Sequence, residues 1–458
     1  MNFADVQTIK EIKLMNLFEK LLGRGTAKFL AENLINQLTD EQIKERQEMF
    51  KKLEDKEVYA SYQERYEHLC IMEKEYEIYI DKQNPMYSAL IFFQMANQYY
   101  YFTDNTELKA DIENIRTMYN KRKFFSCNLF SKYDNTRYSV DLKVIDEEYI
   151  DPLQQLFDHL QLRDDTKFDD YRIYGSLYDM VSATDTRPYA EINAFYEKYR
   201  NQLLPYVEDV LKEIPELKFY LEMKRFYNAL DERNIPYSLA EFTDEKSITV
   251  KGARDITLIT SNVENIITND FYFNTEKPFW FITGANGGGK TSFLRSVGLC
   301  VLLGSQGCYM PAKSGTIMRL EQLITFFPME SDLDRGRFNS EKERLAHMSE
   351  KATTDSLVLM NEVFTSTDEM TAMRESQVVL EQMLEKKCFG VFVTHNFPLI
   401  ESMQDKMPVL EAITEGDEHN RLFKIVEKKQ VGSSFATDIL RKYELDFDSL
   451  KRKYGDAL

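Results

Sequence analysis

The chain has 458 residues, room for about three domains of roughly 150 residues each and for a large apolar core. With 43% apolar and 29% charged residues it has the balance of a globular protein. Its net charge of −18 excludes general polyanion binding, so any nucleic-acid contact must come from a local basic surface.

Residues 1 to about 240 are expected to be helical, because glycine and strand-like alternation are both rare there. Thr39 and Gln42 have the spacing of a capping box. The helix it starts carries Ile43, Met49, Phe50 and Leu53 on roughly one face. Ile192, Phe195, Tyr199 and Leu203 form a second apolar face, and Phe219, Met223, Phe226 and Leu230 a third. Such faces build a helical core or a long lever. The stretch from about 124 to 190 is less regular, with turns expected at Asp134-Asn135-Thr136 and Thr184-Asp185-Thr186-Arg187-Pro188. Tyr99-Tyr100-Tyr101-Phe102 has the chemistry to stack on bases, but core packing is the expectation. Lys121-Arg122-Lys123, beside Phe124-Phe125, and Lys451-Arg452-Lys453 are expected to be solvated turns.

Cys70, Cys127, Cys300, Cys308 and Cys388 form no C-x-x-C pair, which argues against zinc and a disulfide framework and for a reducing compartment. The first residues show no signal peptide, and no segment approaches about 18 consecutive apolar residues. A cytoplasmic location without a membrane span is expected. The pattern changes at 235–245. Ser247–Lys251 and Ile256–Ile259 are expected strands, and mixed α/β structure follows to about 450.

Within that second part, Gly284-Ala285-Asn286-Gly287-Gly288-Gly289-Lys290-Thr291 fits G-x-x-x-x-G-K-[ST] at every fixed position. The aromatic and β-branched run Phe279–Thr283 precedes it as a strand, and Ser292–Val297 follows as an opening helix. Glycines let backbone come close to phosphates, and loop N–H groups with the helix N-terminus face the anion. Lys290 would reach the β- and γ-phosphates, and the Thr291 hydroxyl would hold Mg²⁺. Downstream, the apolar run Ser356–Met360 ends in Asn361-Glu362, the form of a Walker B strand. Glu362 is the candidate general base, while Asn361 can hold a metal-bound water but brings no charge. The strand Phe389–Val393 ends in Thr394-His395, where a histidine can hydrogen-bond the γ-phosphate. His68, His159, His347 and His419 have no such setting and are expected to be structural. Ser340 and Glu343 have the spacing of another capping box, and a capped helix N-terminus is an anion site. In dimeric ABC-type ATPases that helix end meets the partner's γ-phosphate. A kinase would need a second substrate pocket, for which no segment is evident.

Taken together these segments resemble the MutS family of ABC-type ATPases. Ile282–Thr291 is similar to its T-G-x-N-x-G-G-K-[ST] loop, Gln306–Ala312 to its G-x-[FY]-V-P-A segment, Thr365-Ser366-Thr367 to the G-T-S-T after Walker B, and Thr394-His395 to its switch. Asn269-Asp270 and Gly432–Ala436 fit as well, and Gly25–Ala27 with Leu38–Gln47 looks like the start of the family's helical core. The resemblance implies an α-helical core and lever domain over 1–240, with a short clamp-like middle at about 110–200, followed by an α/β P-loop NTPase domain of ABC type over 241–458. It implies a short form without the N-terminal mismatch-recognition and connector domains. It also implies a homodimer that binds ATP and Mg²⁺ through Gly284 to Ser292, hydrolyses ATP with Glu362 and His395, and completes each site with a signature in trans, here Gly336, Asn339 and Ser340. Thr291 and, through water, Asn361 would serve the metal. DNA is the implied partner. Two departures stand out: Asn361 replaces the Walker B Asp, and Phe338 stands where a signature Ser is usual. They keep open an alternative, a nucleotide-gated clamp with little hydrolysis acting on a protein or ribosome-like RNA partner.

Overall fold

Strands that are apolar along their whole length need cover on both faces, which a parallel sheet provides through crossover helices. The second part of the chain is built this way. The computed structural model describes residues 2–81, 85–120, 124–130, 137–143, 187–263, 265–328, 337–365, 367–414 and 421–428. In chain order the elements are α1 Val6–Glu11, α2 Leu14–Leu22, α3 Arg24–Leu34, α4 Asp40–Lys52, α5 Lys56–Asp81, α6 Pro85–Tyr99, α7 Thr106–Asn120, β1 Phe124–Phe130 and β2 Arg137–Lys143. Next come α8 Arg187–Leu211, α9 Ile214–Asp231, β3 Glu241–Thr243, β4 Ile248–Ala253, β5 Asn269–Phe273, β6 Phe279–Gly284 and α10 Lys290–Ser305. The chain continues with β7 Ser314–Met318, β8 Gln322–Phe326, α11 Arg337–Lys351, β9 Ser356–Asn361, α12 Glu369–Glu385, β10 Phe389–Val393, α13 Phe397–Met403, β11 Val409–Thr414 and β12 Arg421–Lys428. A helical N-terminal region thus leads into a mixed α/β region, as expected. Among the described residues no helix is long and apolar enough to cross a membrane.

The main sheet has the order β12-β11-β6-β10-β9-β8, with β11, β6, β10, β9 and β8 parallel and β12 antiparallel at the edge. Every residue of β9 and β10 is buried, as is β6 up to Gly284. Phe279, Phe281, Val358, Met360 and Phe392 on one side of this sheet share a core with Leu345, Met348, Leu380 and Leu399. A second sheet, β3-β7-β4-β5, flanks it in sequence. Ile256–Ser261 is not the expected second strand but a 3₁₀ helix. Asp255 starts it by accepting the Thr257 N–H at 3.1 Å, a short-range bond that diverts the backbone from an extended path. The expected box at Ser340 and Glu343 is also overturned. The helix begins at Arg337, so Ser340 lies inside its first turn.

The chain divides into two compact units, Met1–Tyr59 with Phe219–Leu458, and Ala60–Lys218. The change near 240 marks a switch from helix to strand; the compactness boundaries fall elsewhere, inside α5 and α9. In the first unit the capping box at Thr39 is formed: its hydroxyl accepts the Gln42 N–H at 3.2 Å, and Gln42 Oε1 accepts the Thr39 N–H at 2.9 Å. Thr39→Ala is expected to cost about 1 kcal/mol, seen as a lower urea midpoint in the first unfolding transition. Ile43, Phe50 and Leu53 are buried, and Phe50 packs edge-on against Tyr220 and Tyr227 of α9. The α9 face expected from sequence, Phe219, Met223, Phe226 and Leu230, is buried throughout.

In the second unit α8 packs on α6 and α7, and its expected face, Ile192, Phe195, Tyr199 and Leu203, joins Phe92, Ile112 and Val207 in one core. Tyr99, Tyr100 and Phe102 pack partly buried on that core, while Tyr101 is 53% exposed and stacks on His68 at 4.1 Å. Core packing therefore holds for three of these four aromatics. The irregular middle contains an antiparallel ladder, Phe124–Phe130 with Arg137–Lys143. Lys121–Lys123, Asp134–Thr136, Thr184–Thr186, Gly432–Ala436 and Lys451–Lys453 lie outside the described residues.

Candidate nucleotide site

The loop between β6 and α10 is shaped by glycine. At Gly284, φ is +123° and a Cβ would meet the Ala412 carbonyl oxygen at 2.9 Å. At Gly289, the N-cap of α10, φ is +95° and a Cβ would meet the Phe423 ring at 3.3 Å. A side chain at either place would be strained by backbone conformation as well as by space. The loop closes on Lys290, which is 4% exposed and donates to the carbonyl oxygens of Gly284 and Ala285 at 2.9 Å each. Burial lowers its pKa below the ordinary lysine value, and the nearby Glu362 carboxylate pulls the other way.

Next in the helix, the Thr291 hydroxyl donates to Asn361 Oδ1 at 3.3 Å. Asn361 ends β9 and is 7% exposed. Glu362 follows in a left-handed conformation, φ +48°, with its N–H bonded to the Val393 carbonyl at 3.0 Å. The parallel β9–β10 pairing sets this register and brings His395 to 3.7 Å from the Glu362 carboxylate. The nearby His395 is the main cause that holds the Glu362 pKa below its ordinary value, with burial opposing and Lys290 helping.

Lys290, Thr291 and Glu362 border a cavity of about 310 Å³. Its floor is Asn286, Gly287, Gly289, Lys290, Thr291 and Ser292, with Glu362 at one side. Gly284, Ala285, Gly288, Asn361 and His395 do not line the cavity. The opposite wall was not foreseen: Asp255, Leu258, Val263, Ile266, Ile267, Asn269 and Phe423. Burial pushes the Asp255 carboxyl upward. Asn269 joins that wall across the sheet edge. Its Nδ2 donates to the Phe423 carbonyl at 3.1 Å, and its Oδ1 accepts the Ile425 N–H at 2.8 Å. Phe423 is held at φ +53° with its ring beside Gly289. The pair Asn269-Asp270 was the only sequence signal for this wall. Asn339 and Ser340 are exposed on α11 and do not border the cavity of their own chain, while Gly336 lies outside the described residues.

A glycine loop between a central parallel strand and a helix, with a carboxylate on a nearby strand end, has the design of a nucleotide-binding α/β domain. Residues 280–445 match the family model described as MutS domain V. That domain is the ATPase domain of the MutS family, and the match covers this part of the chain.

Proposed function

We propose that the chain is an ATP-dependent DNA-binding protein of MutS type that works as a homodimer and hydrolyses ATP to ADP and phosphate. The observation that carries this is the convergence of Lys290, Thr291 and Glu362 on one cavity. Gly284 to Ser292 cradle the phosphates as a P-loop of ABC type, and Lys290 reaches the β- and γ-phosphates. The apolar side chains Leu258, Val263, Ile266, Ile267 and Phe423 offer the nucleotide's base an apolar wall. Neutral oxygens from Thr291 and Asn361, 3.3 Å apart, suit a hard cation that keeps some of its waters. Thr291 and, through water, Asn361 would hold Mg²⁺ there, and the ion would supply positive charge against the phosphates. Glu362 polarises the attacking water and His395 contacts the γ-phosphate. Gly336, Asn339 and Ser340 of a second copy would close the site, in keeping with the exposure of Asn339 and Ser340.

The helical part would act as core and lever. Two observations within the first unit support this. Arg46 of α4 donates to the Gln306 carbonyl at the end of α10, at 3.1 Å, and stacks on Phe219 of α9. Tyr309, just beyond α10, bonds Glu54 and packs against Phe50 and Tyr227. The helix that starts at the phosphate loop therefore ends against α4 and α9, and the chain enters and leaves the second unit through α5 and α9.

The neutral Asn361 favours a second reading, a clamp that responds to nucleotide binding with slow turnover and acts on a protein or RNA partner. One set of measurements separates the two: steady-state phosphate release, sedimentation with and without ATP, and duplex DNA titrated at increasing salt. The first reading expects ATP-promoted dimers, measurable turnover and duplex affinity that falls steeply with salt. Absence of duplex binding at low salt with ATP would reject its DNA component. ATP-driven dimers without turnover would leave the clamp.

A further inference from the structure

We infer that Glu341 is a positioning residue for Glu362, fixing from α11 the turn on which the base sits. The inference rests on the proposed role of Glu362. A left-handed φ is costly for a residue with a side chain and persists only where its surroundings over-determine it. The turn after β9 has two such residues, Glu362 at φ +48° and Phe364 at φ +58°. The sheet holds its first half through the Glu362 N–H and the Val393 carbonyl, 3.0 Å apart. Helix α11 holds its second half: the Phe364 N–H donates to Glu341 Oε2 at 3.1 Å, and the Phe338 ring packs on the Phe364 ring at 5.4 Å. Phe338 and Glu341 are three residues apart and so lie on one helix face, both gripping the same residue.

The setting makes the contact more than incidental. Glu341 is 5% exposed and Phe364 1%, and Phe364 belongs to the core that includes Leu345, Met348 and Val363. A carboxylate in such a layer is unfavourable unless its oxygens are bonded, and here one serves the backbone of the turn. A shift of α11 therefore moves Phe364 and, two residues back, Glu362. Since α11 also carries Asn339 and Ser340, Glu341 links the segment offered to a second copy with the base of its own copy.

The test compares Glu341→Gln, which keeps a carbonyl acceptor, with Glu341→Met, which keeps volume and loses it. Turnover, ATP affinity and amide exchange over 362–365 are measured for each. Glu341→Met should lower kcat by about tenfold to a hundredfold, as expected for a misplaced catalytic group, with Kd for ATP within about threefold and faster exchange confined to the turn. Glu341→Gln should restore both kcat and protection to within about threefold of the parent. Unchanged exchange in the Met variant, or a Gln variant as slow as the Met variant, overturns the inference. Glu362→Gln serves as the separate control. Wild-type turnover in that protein removes the base assignment, whereas the exchange result judges the Glu341–Phe364 bond whether or not turnover occurs.

Discussion

Lys290→Ala should weaken ATP binding by about a hundredfold and abolish turnover. The magnitude follows from the environment of the ammonium. A hydrogen bond involving a charged group contributes about 1.5–3 kcal/mol, and each 1.4 kcal/mol is roughly tenfold in affinity. Lys290 is 4% exposed and is already stripped of most of its water before a phosphate arrives. Its attraction to an anion is therefore screened less than that of a surface lysine. The two carbonyl bonds at 2.9 Å hold it at the loop, so little side-chain entropy remains to be lost on binding. Its lowered pKa has the same origin, since burial disfavours the charged form. A bound phosphate would favour the charged ammonium and oppose that effect of burial. Calorimetric titration of ATP with Mg²⁺ into parent and variant measures the effect, with the unfolding midpoint as a check on folding. A variant that binds ATP within threefold of the parent would remove the phosphate role of Lys290.

Legibility in the sequence followed the range of the interactions. The strands β6, β9 and β10 were readable because full burial makes them continuous apolar runs. The helix faces through Phe195 and Phe226 were readable because helical period is local. The loop at Gly284 was readable because its glycines answer to backbone conformation, which spacing records. The far wall was not. Asn269 and Phe423 are separated by 154 positions and meet only through the edge of the sheet, so neither residue announces a partner. Ile256–Ile259 had strand composition, but Asp255, which accepts from both the N–H and the hydroxyl of Thr257, caps it as a 3₁₀ helix. The left-handed turn at Glu362 and Phe364 was invisible for the opposite reason: neither position is glycine, and the conformation is imposed by β10 and α11 rather than by local preference. The division at Tyr59 and Phe219 escaped because it cuts through helices whose own periodicity continues.

Glu362→Gln tests the chemistry rather than the binding. General base catalysis contributes roughly a hundredfold to ten-thousandfold, so kcat should fall by about that factor. ATP affinity should hold, since the amide keeps the shape and the loop is untouched. The pH dependence supplies an independent check. The folded-state pKa of Glu362 lies below its ordinary value of 4.5, chiefly because of the His395 contact at 3.7 Å. A depressed carboxyl pKa favours the ionised form, so this group's contribution to stability is present above the unfolded pKa and lost as pH falls through the folded one. The base form is likewise available across the neutral range, and its acid limb in kcat/KM lies below pH 4.5. His395→Ala removes the principal stabilising contact and leaves burial as the largest remaining influence, so that limb should move to higher pH. Because Lys290 still faces the carboxylate, the shift should be larger in the double variant with Lys290→Met, which can be read in the protein alone by carboxyl titration using NMR. An acid limb that stays in place in His395→Ala would mean that the histidine does not set the state of Glu362. An unchanged kcat in Glu362→Gln would move the search for the base to another residue bordering the cavity.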